Sequence, residues 1–106
     1  MTAPASMTAS PTLAARFEAL AAEWKAAVAL TSSSSAMVAH PAYQAVIALG
    51  PPAVPLLLRE LEREPAHWFE ALKAITGEDP VPPADWGHVR VMAAAWLAWG
   101  RTRRLI

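Results

Sequence analysis

Apolar side chains recur at helical spacing along most of this chain. Leu13, Phe17, Leu20, Trp24 and Val28 follow at steps of four, three, four and four, with Arg16, Glu18, Glu23 and Lys25 on the other sides. That spacing predicts a helix burying one face, with Ser10 as N-cap and Pro11 at the first helical position. The run Thr31–Ser35 ends it, because serine and threonine compete for backbone hydrogen bonds and favour caps and turns. Ser35 is expected to cap a single turn through Ala39, and His40-Pro41 to start a second helix over 41–49 with Tyr43, Val46 and Ile47 inward.

Gly50 stands where a left-handed C-cap is wanted. A third helix follows, with Pro51, Pro52 and Pro55 in or before its first turn, where a missing N–H costs little. Val54, Leu57, Leu58 and Leu61 form its apolar stripe; Arg59, Glu60, Glu62, Arg63 and Glu64 are expected to be its wet side. Trp68, Leu72 and Ile75, widened by Phe69, predict a fourth helix over 66–75, ended by Thr76-Gly77. The proline-rich 78–84 cannot be helical and reads as a stiff extended connector. Asp85 then caps a fifth helix over 86–99, with Val89, Met92, Trp96 and Trp99 on one face and Gly100 closing it. No segment alternates like a strand. The expected fold is therefore all-α: a compact bundle of about five helices, with residues 1–10 a flexible tail and 11–106 a single domain.

Composition narrows this further. The 106 residues include 25 alanines, which form helices more than they build cores, and five tryptophans, an unusual number for so short a chain. Nine basic and nine acidic side chains give a formal net charge of zero. Proteins that neutralise phosphates usually carry a basic excess, so nucleic-acid binding is possible but disfavoured. Zero net charge protects weakly against association, which makes another protein, or a second copy, the expected partner. The absence of cysteine excludes disulfides, thiolate metal sites and cysteine nucleophiles. Met1 to Ser10 lacks the basic start and apolar run of a signal peptide, and the uncharged stretch Ala42–Leu58 is broken by Gly50 and three prolines. The expectation is no membrane span and a cytoplasmic location.

Ala45-Val46-Ile47-Ala48-Leu49-Gly50, Ala53-Val54-Pro55, Leu57-Leu58, Leu61, Ala71-Leu72 and Ile75 together resemble a HEAT-type helical repeat over residues 41–75. The resemblance implies a helical hairpin at the centre of the bundle and a scaffold or binding role, with no chemistry attached. Only one hairpin is visible, so a capped globule is expected rather than a solenoid. His40-Pro41-x-Tyr43, Leu58-Arg59-Glu60-Leu61, Trp68-Phe69-x-Ala71-Leu72, Ile75-Thr76-Gly77-x-Asp79-Pro80 and Trp96-Leu97-x-Trp99-Gly100 also resemble a type of small bacterial protein. That second resemblance implies no mechanism.

Candidate chemistry is thin. His40, His67 and His88 sit on separate elements without metal-ligand spacing, and His67-x-x-Glu70 is only half of a carboxylate-bridged site, so no metal and no cofactor are expected. The serine run beside His40 lacks a nucleophile elbow or oxyanion loop. Glu60, Glu62 and Glu64 are not expected to converge, and Glu78-Asp79 read as a turn at a helix end. No catalytic residue is therefore named.

Trp24, Trp68 and Trp96 fall on apolar stripes and are expected in the core. Trp86 and Trp99 stand at the ends of the last helix. With Pro82 and Pro83 they make the expected partner-binding patch, since tryptophan is enriched in interface hot spots. Arg101, Arg103 and Arg104, with Arg90, form the only cationic cluster and the alternative, nucleic-acid-facing site. The function expected from the sequence is a non-enzymatic interaction module: an adaptor, an antitoxin-like inhibitor or a complex subunit.

Overall fold

The computed structural model describes residues 12–29, 31, 33–65 and 67–106, so the expected tail over 1–10 and the Ser10-Pro11 helix start lie outside the described residues. Among the described residues there are six α-helices and no strand: α1 (Leu13–Val28), α2 (Ser34–Ala39), α3 (Pro41–Ala48), α4 (Val54–Arg63), α5 (Phe69–Thr76) and α6 (Val89–Thr102). Short 3-10 turns at Pro51–Ala53 and Pro83–Asp85 lead towards α4 and α6. The all-α architecture is as the periodicity predicts. The additional helix is α2, which is longer than a single turn because Ser33, not Ser35, caps it through the Ala36 N–H. Likewise Thr12 caps α1, its Oγ1 accepting the Ala15 N–H at 3.1 Å.

α1 packs on α3, α3 on α5, and α4 on α6. Between α3 and the segment Pro51–Arg63 the chain bends by 103°, nearer a right angle than an antiparallel return. Gly50 at that bend has φ 78°, a conformation costly for any residue with a Cβ. Among the described residues no single helix is long and apolar enough to cross a membrane.

One aromatic group joins the first half of the chain to the second. Trp68 stacks on Tyr43 with centroids 5.2 Å apart, and lies 4.9 Å from Trp24 and 5.7 Å from Phe17. Trp24 donates its Nε1–H to the Met37 carbonyl at 2.7 Å, tying α1 to α2. The Tyr43 hydroxyl donates to the His67 carbonyl at 2.7 Å and accepts the Ala71 N–H at 3.0 Å. Ala71 lies in the first turn of α5, where N–H groups have no partner within the helix. A side chain from α3 thus does the work of an N-cap for α5. This explains why α5 begins at Phe69 instead of 66: no local side chain caps it, and His67 is held at φ 66°. Such a left-handed position costs a residue like histidine about 1–2 kcal/mol.

Glu60, expected on the wet face of α4, is buried. It accepts from Lys25 Nζ at 2.7 Å, the same ammonium reaches Glu64 at 3.1 Å, and Arg63 stands 3.6 Å from the other Glu60 oxygen. Glu60 and Glu64 therefore do converge, on a cation from α1. The hydrogen bond to Glu60, with that to Glu64, holds the Lys25 ammonium above its ordinary 10.5 despite partial burial. Burial pushes the Tyr43 phenol well above its ordinary 10.0.

Both groups keep their protons more tightly folded than unfolded. Their contribution is complete below about pH 10 and is lost as pH climbs through the raised folded values. We expect urea-unfolding free energy to be level between neutral pH and about pH 9.5 and then to fall. Tyr43→Phe should soften that alkaline fall while lowering stability near neutrality by about 1–3 kcal/mol, since it strands the buried Ala71 N–H. An unchanged alkaline limb in this variant would remove Tyr43 from the account.

The end of α6 also departs from the sequence reading. Gly100 lies inside the helix and is buried against Leu58, so it cannot close it. The closure comes four residues later. Arg104 adopts φ 58°, its N–H bonds to the Arg101 carbonyl at 3.0 Å, and the Leu105 N–H bonds to the Gly100 carbonyl at 2.9 Å. This is a Schellman arrangement with arginine where glycine is usual. It turns Leu105 and Ile106 back onto the core.

Candidate interaction surface

The surface around Trp86 is built by the connector between α5 and α6. Gly77, left-handed at φ 72° and ψ 10°, ends α5, and Thr76 Oγ1 accepts the Glu78 N–H at 3.1 Å. Asp79 Oδ1 accepts the Val81 N–H at 3.1 Å, forming an Asx turn. Val81 is buried and pins the connector to the core, while Pro82 and Pro83 on either side of the next bend are exposed. The Pro82 and Pro83 carbonyls take the Asp85 and Trp86 N–H groups at 2.9 and 3.2 Å. Gly87, at φ 90°, then redirects the chain. For these reasons Asp85 does not cap the last helix, as the sequence suggests; α6 starts at Val89 with no side-chain cap.

That geometry leaves large apolar side chains in water. Trp86 is 57% exposed, Val89 42% and Val91 47%. Val89 belongs to the stripe expected to face inward, but it precedes the first residue of α6 that reaches the core. Trp86, Pro82 and Pro83 come together at this corner.

Trp99 is engaged by other side chains. It lies about 15 Å further along the α6 axis than Val89, half-buried, with its Nε1–H donating to Glu78 Oε1 at 3.2 Å. Arg103 sits 4.5 Å over its ring and reaches the same Glu78 oxygen at 2.8 Å. Trp99 also meets Trp96 edge to face at 5.2 Å. This group fastens the end of α6 to the connector, so Trp99 has a structural task of its own.

Arg101, Arg103 and Arg104 stay together at the end of α6, apart from Arg90. Arg101 pairs with Glu62 at 3.4 Å and Arg103 with Glu78. Arg90 and Arg104 are exposed, but Arg90 is about 16 Å from Arg101 along the helix.

Two adjoining clefts flank the Trp86 corner, and of their lining the sequence marks only Trp86 as partner-facing. The larger, about 310 Å³, lies between α2 and the start of α6, walled by Met37, Val38, Phe69, Val89 and Met92. The smaller, about 260 Å³, is walled by Phe69, Trp86, Met92 and Trp96, with Glu70, Lys73 and Asp79 beside them. Phe69, Glu70 and Met92 line both, so the two adjoin across these side chains. An open groove of about 450 Å³ between α1 and α3 is lined mainly by alanines and offers little chemistry. Met37, Val38, Phe69 and Met92 carry a plain core-forming signal, so only the chain's path shows that they border an opening.

Among the described residues no three His, Asp or Glu side chains come together to hold a metal ion. His40 caps α3, its Nδ1 accepting the Ala42 N–H at 3.0 Å, and His67 packs edge-on against Trp24. Among the described residues the buried Trp96 Nε1–H has no hydrogen-bond partner. No family model, no curated protein and no solved structure matches this chain.

Proposed function

We propose that this protein is a non-enzymatic protein-binding module, an adaptor, antitoxin-like inhibitor or complex subunit, that engages its partner through the Trp86 corner. The observation that carries this reading is Trp86 itself: a tryptophan more than half exposed, beside exposed Val89 and two exposed prolines, on the wall of a cleft that also holds Phe69, Trp96 and three charged side chains. A tryptophan in that setting gives up a large apolar area on docking, which is why the residue recurs in interface hot spots. Zero net charge and the HEAT-like sequence at 41–75 agree with a scaffold role. A cysteine-free chain suits the cytoplasm, where we place it.

The nucleic-acid alternative is weaker, because Arg101 and Arg103 already pair with Glu62 and Glu78. It requires binding that falls steeply with salt.

Trp86→Ala provides the test. The variant should keep helical circular dichroism and unfold within about 0.5 kcal/mol of the parent, because an exposed side chain contributes little to folding. It should weaken self-association in light scattering, or retention of a native-host partner, by about tenfold or more. A parent that stays monomeric and partnerless, or an association indifferent to the substitution, would overturn the proposal.

A further inference from the structure

We propose that the groove beside Trp86 receives an amphipathic segment of a partner protein in which apolar side chains alternate with lysine or arginine, one basic side chain entering the smaller cleft. This rests on the reading of the Trp86 corner as a docking surface and adds the chemistry of what docks there.

The larger cleft takes the apolar part. Met37, Val38 and Met92 are partly buried side chains at its wall, and methionine adapts its shape to varied partners. The smaller cleft has a different character. Trp86, 57% exposed, stands at the wall of this cleft of about 260 Å³ with the buried Phe69 and Trp96 behind it, and two carboxylates, Glu70 and Asp79, line it too. Aromatic faces attract ammonium and guanidinium groups, and a nearby carboxylate adds to that attraction.

The charges lining the smaller cleft decide the sign of the ligand. Lys73, the one basic side chain lining the smaller cleft, is already paired with Glu70 at 3.1 Å. Asp79 has no ion-pair partner among the described residues, and its Oδ1 is engaged only with the Val81 N–H. Arg90 lines neither cleft. The lining therefore offers one uncompensated negative charge among aromatic walls. An acidic segment would meet repulsion there and a purely apolar one would leave the carboxylate unpaired in a desolvated contact.

The experiment uses the whole protein and two dye-labelled model peptides with identical leucine spacing, one carrying lysine and the other glutamate at the polar positions. Fluorescence anisotropy should show the lysine peptide binding at least about tenfold more tightly than the glutamate peptide, with the preference shrinking as salt is added. Asp79→Asn keeps an acceptor for the Val81 N–H and removes the charge. It should weaken the lysine peptide by about threefold to tenfold and leave the glutamate peptide no weaker. Arg90→Ala should change neither.

Equal binding of the two peptides, or an Asp79→Asn variant that binds the lysine peptide like the parent, overturns the inference. If Trp86→Ala weakens both peptides equally well-bound, the docking corner stands and only its charge preference falls. If neither peptide binds while Trp86→Ala still abolishes association, this inference fails and the broader reading survives. Both fail if neither peptide binds and Trp86→Ala has no effect on association.

Discussion

Trp68→Ala is expected to destabilise the protein by about 3–5 kcal/mol, the range found when a large aromatic side chain is deleted from a close-packed interior. Trp68 is 1% exposed and touches Phe17, Trp24 and Tyr43, which come from α1 and α3. It precedes α5, so it is also the point at which the second half of the chain attaches to the first. Its removal leaves a void bounded by three rings, each already fixed by other contacts. Tyr43 is held by the His67 carbonyl and the Ala71 N–H, and Trp24 by the Met37 carbonyl, so the site cannot easily collapse to fill the space. Domains of this size are stable by only about 5–15 kcal/mol in total, so the variant should lose much of its resistance to urea. Trp68→Phe, which keeps a ring against Tyr43, should recover at least half of the loss. If the alanine variant unfolds within about 1 kcal/mol of the parent, the aromatic group is not the structural centre we describe.

That centre is the part of the fold most legible in the sequence. Trp24, Trp68 and Trp96 each occupy a position that helical spacing marks as inward, and all three are buried to within 1%. Spacing says which face of a helix turns inward because the 3.6-residue period is local. It does not say what the face meets. Glu60 illustrates the limit: it reads with Arg59, Glu62 and Arg63 as the charged side of α4, yet it is buried because Lys25, on a different helix, supplies its counter-charge. The caps show the same limit in another form. A start signal such as Asp85 or a glycine such as Gly100 is read locally, but α5 is capped by Tyr43 from α3 and α6 closes through a left-handed Arg104.

The candidate surface was legible in part for the same reason. Trp86, Pro82 and Pro83 are neighbours in sequence and remain neighbours in space. Trp99, which the sequence places with Trp86 at the two ends of one helix, lies inside α6 and is engaged by Glu78 and Arg103, while Trp86 precedes the helix. The groove residues Met37, Val38, Phe69 and Met92 come from α2, α5 and α6. Their apolar character predicts a core, and only tertiary placement leaves them along an opening.

Gly100 offers the sharpest test of how α4 and α6 meet. Replacing glycine by alanine inside a helix normally stabilises by about 0.8–1.0 kcal/mol, because the backbone loses less freedom on folding. Here the sign should reverse. A Cβ at position 100 would stand 2.5 Å from Leu58 Cδ1, well inside contact distance, with Ile106 Cγ1 at 3.4 Å on another side. Leu58 is fully buried, so its methyl has little free volume to move into. Overpacking of this kind costs about 1–3 kcal/mol, which exceeds the propensity gain through most of its range, and Gly100→Ala should therefore destabilise by up to about 2 kcal/mol. Shortening the opposing side chain separates the two effects. In the Leu58→Ala background the obstructing methyl is gone, and Gly100→Ala should now stabilise by roughly its helical propensity. The double-mutant cycle is thus expected to show a coupling of about 1–3 kcal/mol favouring the pair of substitutions over their separate sum. A coupling near zero would mean that α6 does not approach α4 as closely as a glycine at this position allows, and that Gly100 has no packing role.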